Sequence, residues 1–359
     1  MEKVDIKSMD ITELQELLRE LGEPKFRAKQ LFDWLHAKQV DSFAEMTNLS
    51  KSLREKLGET AAINGVKIVR RLVSQIDGTR KYLFALSDGA IIESVLMKYE
   101  HGNTVCISTQ VGCRMGCRFC ASTQAGRVRN LEAGEICSEI YTAQKDIGER
   151  ISHIVLMGIG EPLDNFDEVM RFLENISSPE GVNIGMRNIS LSTCGLVPKI
   201  DQLAEKKLQL TLSISLHAPD DETRAAIMPV DRRYPIAELM SACRDYYRTT
   251  GRRISFEYTL IKDKNSTVAD ARRLAELLNR SLRRDGLNMP IHVNLIPVNP
   301  VRETGLMPPE RGAIADFAST LEKKGIRATV RRRLGPDIDA ACGQLRKAVM
   351  SDGAAEDRE

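Results

Sequence analysis

The sequence has no apolar run that approaches the roughly 20 residues needed to cross a bilayer. Its first ten residues are charged and lack the apolar core of a secretory signal. These two absences argue against a membrane partner and predict a cytoplasmic protein. Net charge is only +2 at pH 7, so overall charge does not mark the 359-residue chain as a nucleic-acid binder.

Positive charge is instead concentrated in short arginine clusters, of which Arg127 with Arg129 and Arg331-Arg332-Arg333 are two examples. A polyanion would have to be held by clusters of this kind, since the total charge is close to balanced. A solvated protein face is the simpler interpretation of any single cluster.

Disulfide staples are not expected, although the eight cysteines make an even number. The chain lacks a secretory signal and is long enough to fold around its own core. Four of the eight cysteines fall within fifteen residues, at Cys106, Cys113, Cys117 and Cys120. This clustering indicates metal or redox chemistry.

Hydrophobic periodicity divides the chain into parts of different texture. The first sixty residues show helical spacing, whereas residues 66–97 alternate like strands around turn signals at Asp77-Gly78 and Asp88-Gly89, which predicts an antiparallel β-meander. Short apolar segments then alternate with helical ones, which favours a parallel sheet, open or curved into a barrel. The strand candidates are 104–108, 153–157, 188–192, 210–216, 254–260, 291–296 and 327–330.

Four segments follow from this division. We expect a helical accessory domain at 1–62, a linking meander at 63–98, a barrel-forming unit at 99–347 and a disordered tail at 348–359. The charge of the first segment permits RNA contact, but a purely packing role is as reasonable.

Residues 113–120 read CRMGCRFC and place three thiols at Cys113, Cys117 and Cys120. A structural zinc site needs four protein ligands, usually two Cys-x2-Cys pairs, and the chain has no second pair. A 4Fe–4S cluster can instead use three cysteines and keep one iron open. A catalytic zinc with a different fourth ligand and a metal-free trio of buried cysteines remain as alternatives.

Polar or glycine-rich residues follow directly after several predicted strands. In barrels of parallel strands, functional residues gather at these carboxyl ends. Gly160-Glu161 is one example, because the glycine could let backbone approach a cofactor while the acid accepts from an ammonium or hydroxyl group. Each of these segments is weak evidence for a functional site when taken alone. The segments are 158–162, 192–195, 215–217 and 294–299.

Taken together, these motifs resemble the RlmN family of dual-specificity RNA methyltransferases over nearly the whole chain. The resemblance implies an α/β fold, namely a TIM-like partial (β/α)6 radical SAM (S-adenosylmethionine) barrel preceded by the helical domain and the meander. The matching stretches are CISTQVGC at 106–113, MGIGEPL at 157–163, LSTCG at 191–195, SLHAP at 215–219, NLIPVNP at 294–300 and DIDAACGQL at 337–345. Cys194 departs from the family pattern, where serine is common, and we expect it to be a small neutral replacement.

The activity implied by the resemblance is radical transfer of a methyl-derived carbon from SAM to C2 of an adenosine. The implied targets are 23S rRNA in its peptidyl-transferase region and tRNA at the adenosine 3′ to the anticodon. The implied cofactors are a 4Fe–4S cluster with one open iron and two SAM molecules per turnover, with an electron donor such as flavodoxin. We expect a monomer. Gly160-Glu161-Pro162 favours C2 over C8, since the related Cfr-type enzymes, which act at C8, typically have alanine in place of this proline.

Roles for individual residues come from the same resemblance. Cys342 would carry the methyl group, because a thiolate attacks a sulfonium methyl readily while electron-poor C2 does not. Glu93 would be the base that removes the C2 proton, and Cys106 would release the product by forming a disulfide with Cys342. An inert buried thiol and a surface carboxylate are the simpler interpretations of Cys342 and Glu93. The implied cluster ligands are Cys113, Cys117 and Cys120, and the implied SAM contacts are Gly160, Glu161, Ser192, Ser215, Leu216, His217 and Asn299.

Two other functions are compatible with the motifs. One is a radical SAM maturase that acts on a protein or a small molecule, although a methyl-carrying cysteine would have no purpose there. The other is a noncatalytic Fe–S or zinc RNA-binding protein, which would bind metal without cleaving SAM.

Overall fold

The computed structural model describes residues 3–284, 286–300, 304–341 and 343–344. Within these ranges a helical module is followed by an antiparallel meander and then by parallel strands that alternate with helices. The meander and the parallel strands belong to one ten-stranded sheet, which confirms the predicted α/β fold. The tail predicted at 348–359 lies outside the described residues. No helix in the described ranges has the length and apolar character of a membrane span.

The N-terminal module packs around a core of its own. A capping box starts its first helix, because the Asp10 side chain accepts from the backbone N–H of Glu13 and the Glu13 side chain accepts from that of Asp10. Leu14 and Leu18 lie one turn apart on that helix and are fully buried. The module consists of β1 (Val4–Asp5), α1 (Ile11–Glu20), α2 (Arg27–Phe32), α3 (Lys51–Thr60) and β2 (Ala61–Ala62), with a π-helical turn at Asp33–Ala37.

The meander follows as predicted. Its strands pair antiparallel, and its two turns contain Gly78 (φ 72°) and Gly89 (φ 83°), which adopt a left-handed conformation that most residues avoid. The strands are β3 (Lys67–Val73), β4 (Arg80–Ala85) and β5 (Ile91–Tyr99).

The next strand, β6 (Gly102–Cys106), pairs antiparallel with β5. A separate two-stranded hairpin then encloses the cysteine motif, formed by β7 (Gln110–Gly112) and β8 (Arg127–Asn130). The sequence did not predict this hairpin, because its strands are short and β8 is largely polar. The main sheet resumes at β9 (Ile151–Leu156), which pairs in parallel with β6.

The remaining strands add to β9 in chain order, each parallel to its neighbour. They are β10 (Ile189–Thr193), β11 (Thr211–Ser215), β12 (Ile254–Leu260), β13 (Ile291–Pro297) and β14 (Arg327–Val330). The helices between and around them are α4 (Ala133–Ile147), α5 (Phe166–Ser177), α6 (Val197–Glu205), α7 (Asp221–Ile227), α8 (Ile236–Thr250), α9 (Val268–Leu282) and α10 (Arg311–Lys323).

The sheet curves into an open barrel. Met97 of β5 and Asn294 of β13 line the same cavity, so strands far apart in the sheet order face each other. In the described part of the chain, β14 pairs only with β13 and leaves the barrel open on that side. The family resemblance implied six parallel strands, and the short β14 adds a seventh. The helices bury their apolar faces against the outside of the sheet and form the main core.

His36 connects the N-terminal module to the barrel. Its ring is fully buried, and its Nδ1 lies 2.8 Å from the hydroxyl oxygen of Tyr141 on α4. Burial, together with the nearby Lys7 charge, lowers the pKa of His36 from 6.5 to about 3. The imidazole is therefore neutral when the protein is folded near neutral pH.

This pKa predicts acid sensitivity. Below pH 6.5 the unfolded chain binds a proton at His36 that the folded chain does not bind, so the free energy of unfolding falls with pH. The stability advantage of wild type over His36→Gln should shrink by about 2 kcal/mol between pH 7 and pH 5. Urea denaturation at both pH values measures it, with Tyr141→Phe as the control that retains the histidine. An advantage that is independent of pH would contradict the assignment.

Candidate functional site

A cavity of about 990 Å³, measured to its open mouth, lies at the carboxyl ends of the parallel strands. We call it the first cavity. It is lined by nine of the predicted site residues, which come from five separate stretches of sequence. These are Cys113, Cys117, Cys120, Gly160, Glu161, Ser192, Ser215, His217 and Asn299.

The three motif cysteines share this cavity on the loop between β7 and β8. Burial raises the pKa of Cys113 to about 12 and that of Cys117 well above its ordinary value, and repulsion between the thiolates adds to both shifts. Bound iron would reverse this preference for the protonated thiol, because a cationic centre favours thiolate ligands. In the described ranges no three His, Cys, Asp or Glu side chains could together hold one metal ion. A cubane cluster instead needs sulfurs spread around a common space, and all three cysteines line the first cavity.

Two contacts fix the cysteine loop against the strand ends. Arg114 donates twice to the carboxylate of Asp164, which lies in the turn after β9. The Phe119 ring meets the His217 ring edge to face, with 4.8 Å between their centroids. The loop is therefore held from both sides of the cavity.

The protein neighbours of Gly160 already require a glycine at this position, whether or not a cofactor approaches its backbone. Its φ is 109°, and a Cβ at this position would lie 2.7 Å from the Cβ of Gln110. The Gln110 side chain accepts from the backbone N–H of Glu161 at 3.0 Å. The turn that presents Glu161 is thus packed directly against β7.

Glu161 ties two strand ends together. Its carboxylate accepts from the backbone N–H of Leu163 at 3.0 Å and from that of Cys194 at 2.8 Å. Burial raises the pKa of Glu161, and these N–H donors oppose the shift. A carboxylate has further lone pairs, so Glu161 can still accept from an ammonium group in the cavity.

His217 is a neutral hydrogen-bond donor. Its Nδ1 accepts from the backbone N–H of Thr259 at 2.9 Å, which assigns the ring proton to Nε2. Burial, together with the charge of Arg224, lowers the pKa of His217 to about 3. Its backbone has a φ of 58°, and its carbonyl accepts from the side chain of Asn265 at 2.7 Å. The residue therefore has a structural role and also lines the cavity.

Arg224 is a site residue that the sequence did not reveal, because no motif marks it on the short helix α7. Its side chain is fully buried and donates to the carbonyls of Cys194 at 2.7 Å, Ser215 at 3.2 Å and Leu216 at 3.1 Å. It also pairs with Asp231 at 2.8 Å. One guanidinium thus holds the loops after β10 and β11 in register.

The other predicted SAM contacts divide into two groups. The Ser192 and Ser215 hydroxyl oxygens lie 3.5 Å apart at the cavity wall. Leu216 does not line the cavity, because its side chain is buried in the main core.

Cys194, which departs from the family pattern, lines the first cavity. Burial, followed by the nearby Glu161 charge, raises the pKa of its thiol. The Cys194 thiol is therefore uncharged near neutral pH.

A second cavity of about 800 Å³ adjoins the first at the open side of the barrel. Met157, Asn299 and Arg331 line both cavities. Cys106 lines the second cavity, and so do Ala340 and Ala341, which directly precede Cys342. Cys342 itself lies outside the described residues.

Glu93 approaches this second cavity from β5. It lies on the same face of the strand as Val95 and Met97, which line the cavity. Val95 is in turn the cross-strand partner of Cys106. Glu93 is buried and forms an ion pair with Lys81 at 2.9 Å, so it is not the surface carboxylate of the simpler interpretation.

The two arginine clusters lie in different surroundings. Arg127 pairs with Asp164 and Arg129 pairs with Asp88 and Glu135, so the structure satisfies both internally. The cluster at 331–333 instead lines the second cavity.

Comparison with known proteins extends this picture. Residues 4–63 match the ribosomal RNA large subunit methyltransferase N-terminal domain, and residues 107–275 match the radical SAM superfamily. The chain is 56% identical over 347 residues to a probable dual-specificity RNA methyltransferase RlmN of Alkaliphilus oremlandii, with 97% of this chain and 98% of that protein covered. It is 53% identical over 348 residues to a protein of the same description from Lachnospira eligens, with 97% of each covered. A crystal structure of a radical SAM methyltransferase from Sphaerobacter thermophilus matches with a TM-score of 0.88 and 43% identity, over 95% of this chain and 99% of that one.

The contacts of Arg224 predict a large effect of its removal. Arg224→Leu leaves the Asp231 carboxylate buried without its partner, which should destabilise the fold by about 3–5 kcal/mol. It should also weaken SAM binding, because three strand-end carbonyls lose their donor, two of them in residues that line the cavity. Urea denaturation and equilibrium dialysis with SAM measure the two effects. Arg244→Leu is the matched control, since Arg244 bonds to Ser241 and Ser281 away from the cavity. Equal behaviour of the two variants would contradict the role given to Arg224.

Proposed function

The chain belongs to the RlmN family of radical SAM methyltransferases, and on that premise we propose that it transfers a methyl-derived carbon from SAM to C2 of an adenosine in RNA. The observation that carries this proposal is the junction of the two cavities. One cavity has the three-cysteine loop, and the other has Cys106 and the approach to Cys342. A noncatalytic metal protein would have no need for the second cavity.

Membership of the radical SAM superfamily implies a 4Fe–4S cluster and SAM. We propose Cys113, Cys117 and Cys120 as the cluster ligands, because these three thiols share one cavity. Glu161 and the Ser192–Ser215 pair would hold the polar groups of SAM, and His217 would donate to it through Nε2. When bound, the cluster and SAM would supply the one-electron chemistry, which comprises a carbon radical that takes a hydrogen atom and, at a later stage, recovery of one electron from the adduct.

The thiol of Cys342 would take the first methyl group. Its thiolate forms a bond to the methyl carbon of one SAM molecule, whose sulfonium bond breaks to leave the thioether. Loss of one hydrogen atom from this S-methyl group makes a methylene that can bond to C2. Two SAM molecules are then used per turnover. Cys106 and Glu93 lie on neighbouring strands where this adduct would form.

Release of the product requires a base and a second thiol. Glu93 would remove the C2 proton as one electron leaves the adduct. The Cys106 thiolate would then attack the Cys342 sulfur, so that a disulfide forms, the carbon–sulfur bond breaks and the methylene carbon takes up a proton as methyl. An external reductant must reduce this disulfide before the next turnover.

The RNA would enter from the open side of the barrel. A base that reacts in a closed pocket has to leave its stack, which favours unpaired adenosines in loops. The arginine cluster at 331–333 would neutralise backbone phosphates at the mouth of the second cavity. The relatives are named dual-specificity RNA methyltransferases, which supports RNA as the substrate. We propose 23S rRNA, in its peptidyl-transferase region, and tRNA, at the adenosine 3′ to the anticodon, as the two targets. A flavodoxin-like electron donor and a monomeric, cytoplasmic enzyme complete the proposal.

The cluster assignment predicts a selective loss of iron. After anaerobic reconstitution, wild type should bind about four irons per chain, whereas Cys117→Ala should bind far less because the cubane loses a ligand. Cys243→Ala is the matched control, since Cys243 is a fully buried core residue of α8. Iron and sulfide content with visible absorption measure the outcome. Full iron content in Cys117→Ala, or zinc in its place, would contradict the assignment.

The methyl-carrier role predicts a modified nucleoside that depends on Cys342. RNA from a host with wild-type protein should contain C2-methyladenosine, and RNA from a host with Cys342→Ala should lack it. Cys137→Ala, at a fully buried core position, should retain it. Nucleoside mass spectrometry of separated rRNA and tRNA decides between the substrates. Methylation at C8 would assign the chemistry of the Cfr-type enzymes, and an unchanged nucleoside profile would remove RNA as the substrate.

A further inference from the structure

A buried ion pair lies beside the second cavity. Lys81 of β4 and Glu93 of β5 are both nearly inaccessible to solvent, and the Nζ of Lys81 lies 2.9 Å from Oε2 of Glu93. Lys81 is the cross-strand partner of Val95, and Glu93 is that of Leu83, so the two charged residues are diagonal neighbours on one face of the sheet. Val95 also pairs with Cys106, so the ion pair and the thiol occupy adjacent strands.

Lys81 has a second contact, to the segment that leads to Cys342. Its Nζ donates to the backbone carbonyl of Asp339 at 3.3 Å. The same segment is held by the turn between β3 and β4. Asp337 accepts from the Ser74 hydroxyl at 2.7 Å, and the backbone N–H of Gly335 donates to Asp77 at 2.9 Å. One ammonium group therefore touches both Glu93 and the docked segment 335–341.

Stability alone does not explain this arrangement. A buried ion pair is often no more stabilising than two apolar side chains of similar size, because both charges lose their hydration. The ammonium does favour the ionised form of Glu93, which is the form that a base requires. Its bond to Asp339 also fixes the direction from which it approaches Glu93.

We propose that Lys81, held in place by the Asp339 carbonyl, is a positioning residue that keeps Glu93 ionised and oriented for removal of the C2 proton. The inference rests on the proposed function, because it assigns Lys81 a part in one step of that reaction. Lys81 exchanges no atoms with the substrate. Its effect is confined to the stage after the carbon–carbon bond has formed.

The test separates the stages of one turnover. Purified, reconstituted Lys81→Met is supplied with SAM, a reductant and an RNA stem-loop that wild type methylates. We expect S-methylation of Cys342 and formation of 5′-deoxyadenosine at wild-type rates. Release of C2-methyladenosine should fall about a hundredfold, in the range that a general base contributes, while RNA covalently attached to protein accumulates. Lys81→Arg should restore most of the release.

Two further variants distinguish positioning from folding. Lys98→Met removes an exposed lysine that pairs with Glu149, and it should behave as wild type. In a Glu93→Gln background, which leaves no carboxylate buried without its partner, Lys81→Met should slow release no further. An additional loss in that background would overturn the proposal. So would an equal loss of 5′-deoxyadenosine and product in Lys81→Met, or a failure of Lys81→Arg to restore release. Absence of C2-methyladenosine with wild type would instead contradict the proposed function.

Discussion

The double pairing of β6 is the constraint on which the site depends. This strand pairs antiparallel with β5 of the meander and parallel with β9 of the barrel. Cys106, its last residue, is opposite Val95 on one side and Val155 on the other. The thiol is thereby placed between the strand that has Glu93 and the strand that leads into Gly160-Glu161. If β6 paired on one side only, the two cavities would not adjoin.

Buried polar groups around the cavities are held by specific partners, which matters for radical chemistry. Arg224 satisfies three strand-end carbonyls, and Glu161 accepts from two backbone N–H groups. His217 stays neutral because burial lowers its pKa to about 3. Such groups are already oriented before a substrate binds and need no reorganisation during reaction. Hydrogen bonds thus hold the walls of the first cavity, and the segment before Cys342 borders the second cavity.

The sequence predicted those elements whose signal is local. The hydrophobic runs gave the bounds of β12 and β14 as the structure has them, and the turn glycines located the meander. The cysteine spacing and the strand-end motifs found nine residues that share one cavity. The family resemblance alone, and not the spacing, singled out Glu93 and Cys342.

Features that depend on tertiary contacts could not be predicted. Arg224 and Lys81 look like ordinary surface charges in the sequence, and only the fold shows that both are buried with partners. The packing requirement at Gly160 was hidden for the same reason, since the atoms that exclude a Cβ belong to Gln110, fifty residues earlier. Arg127 and Arg129 are candidates for phosphate contact in the sequence, and only the fold shows that both also pair with carboxylates.

In the proposed reaction, the transferred carbon passes through a thiol as a methylene group. Turnover with SAM whose methyl group carries three deuterium atoms tests it directly, by mass spectrometry of the modified adenosine and of 5′-deoxyadenosine. If the carbon passes through the thiol, the new methyl group retains two deuterium atoms and gains one hydrogen from solvent, while 5′-deoxyadenosine gains one deuterium. Retention of all three deuterium atoms in the RNA would show direct methyl transfer and contradict the account.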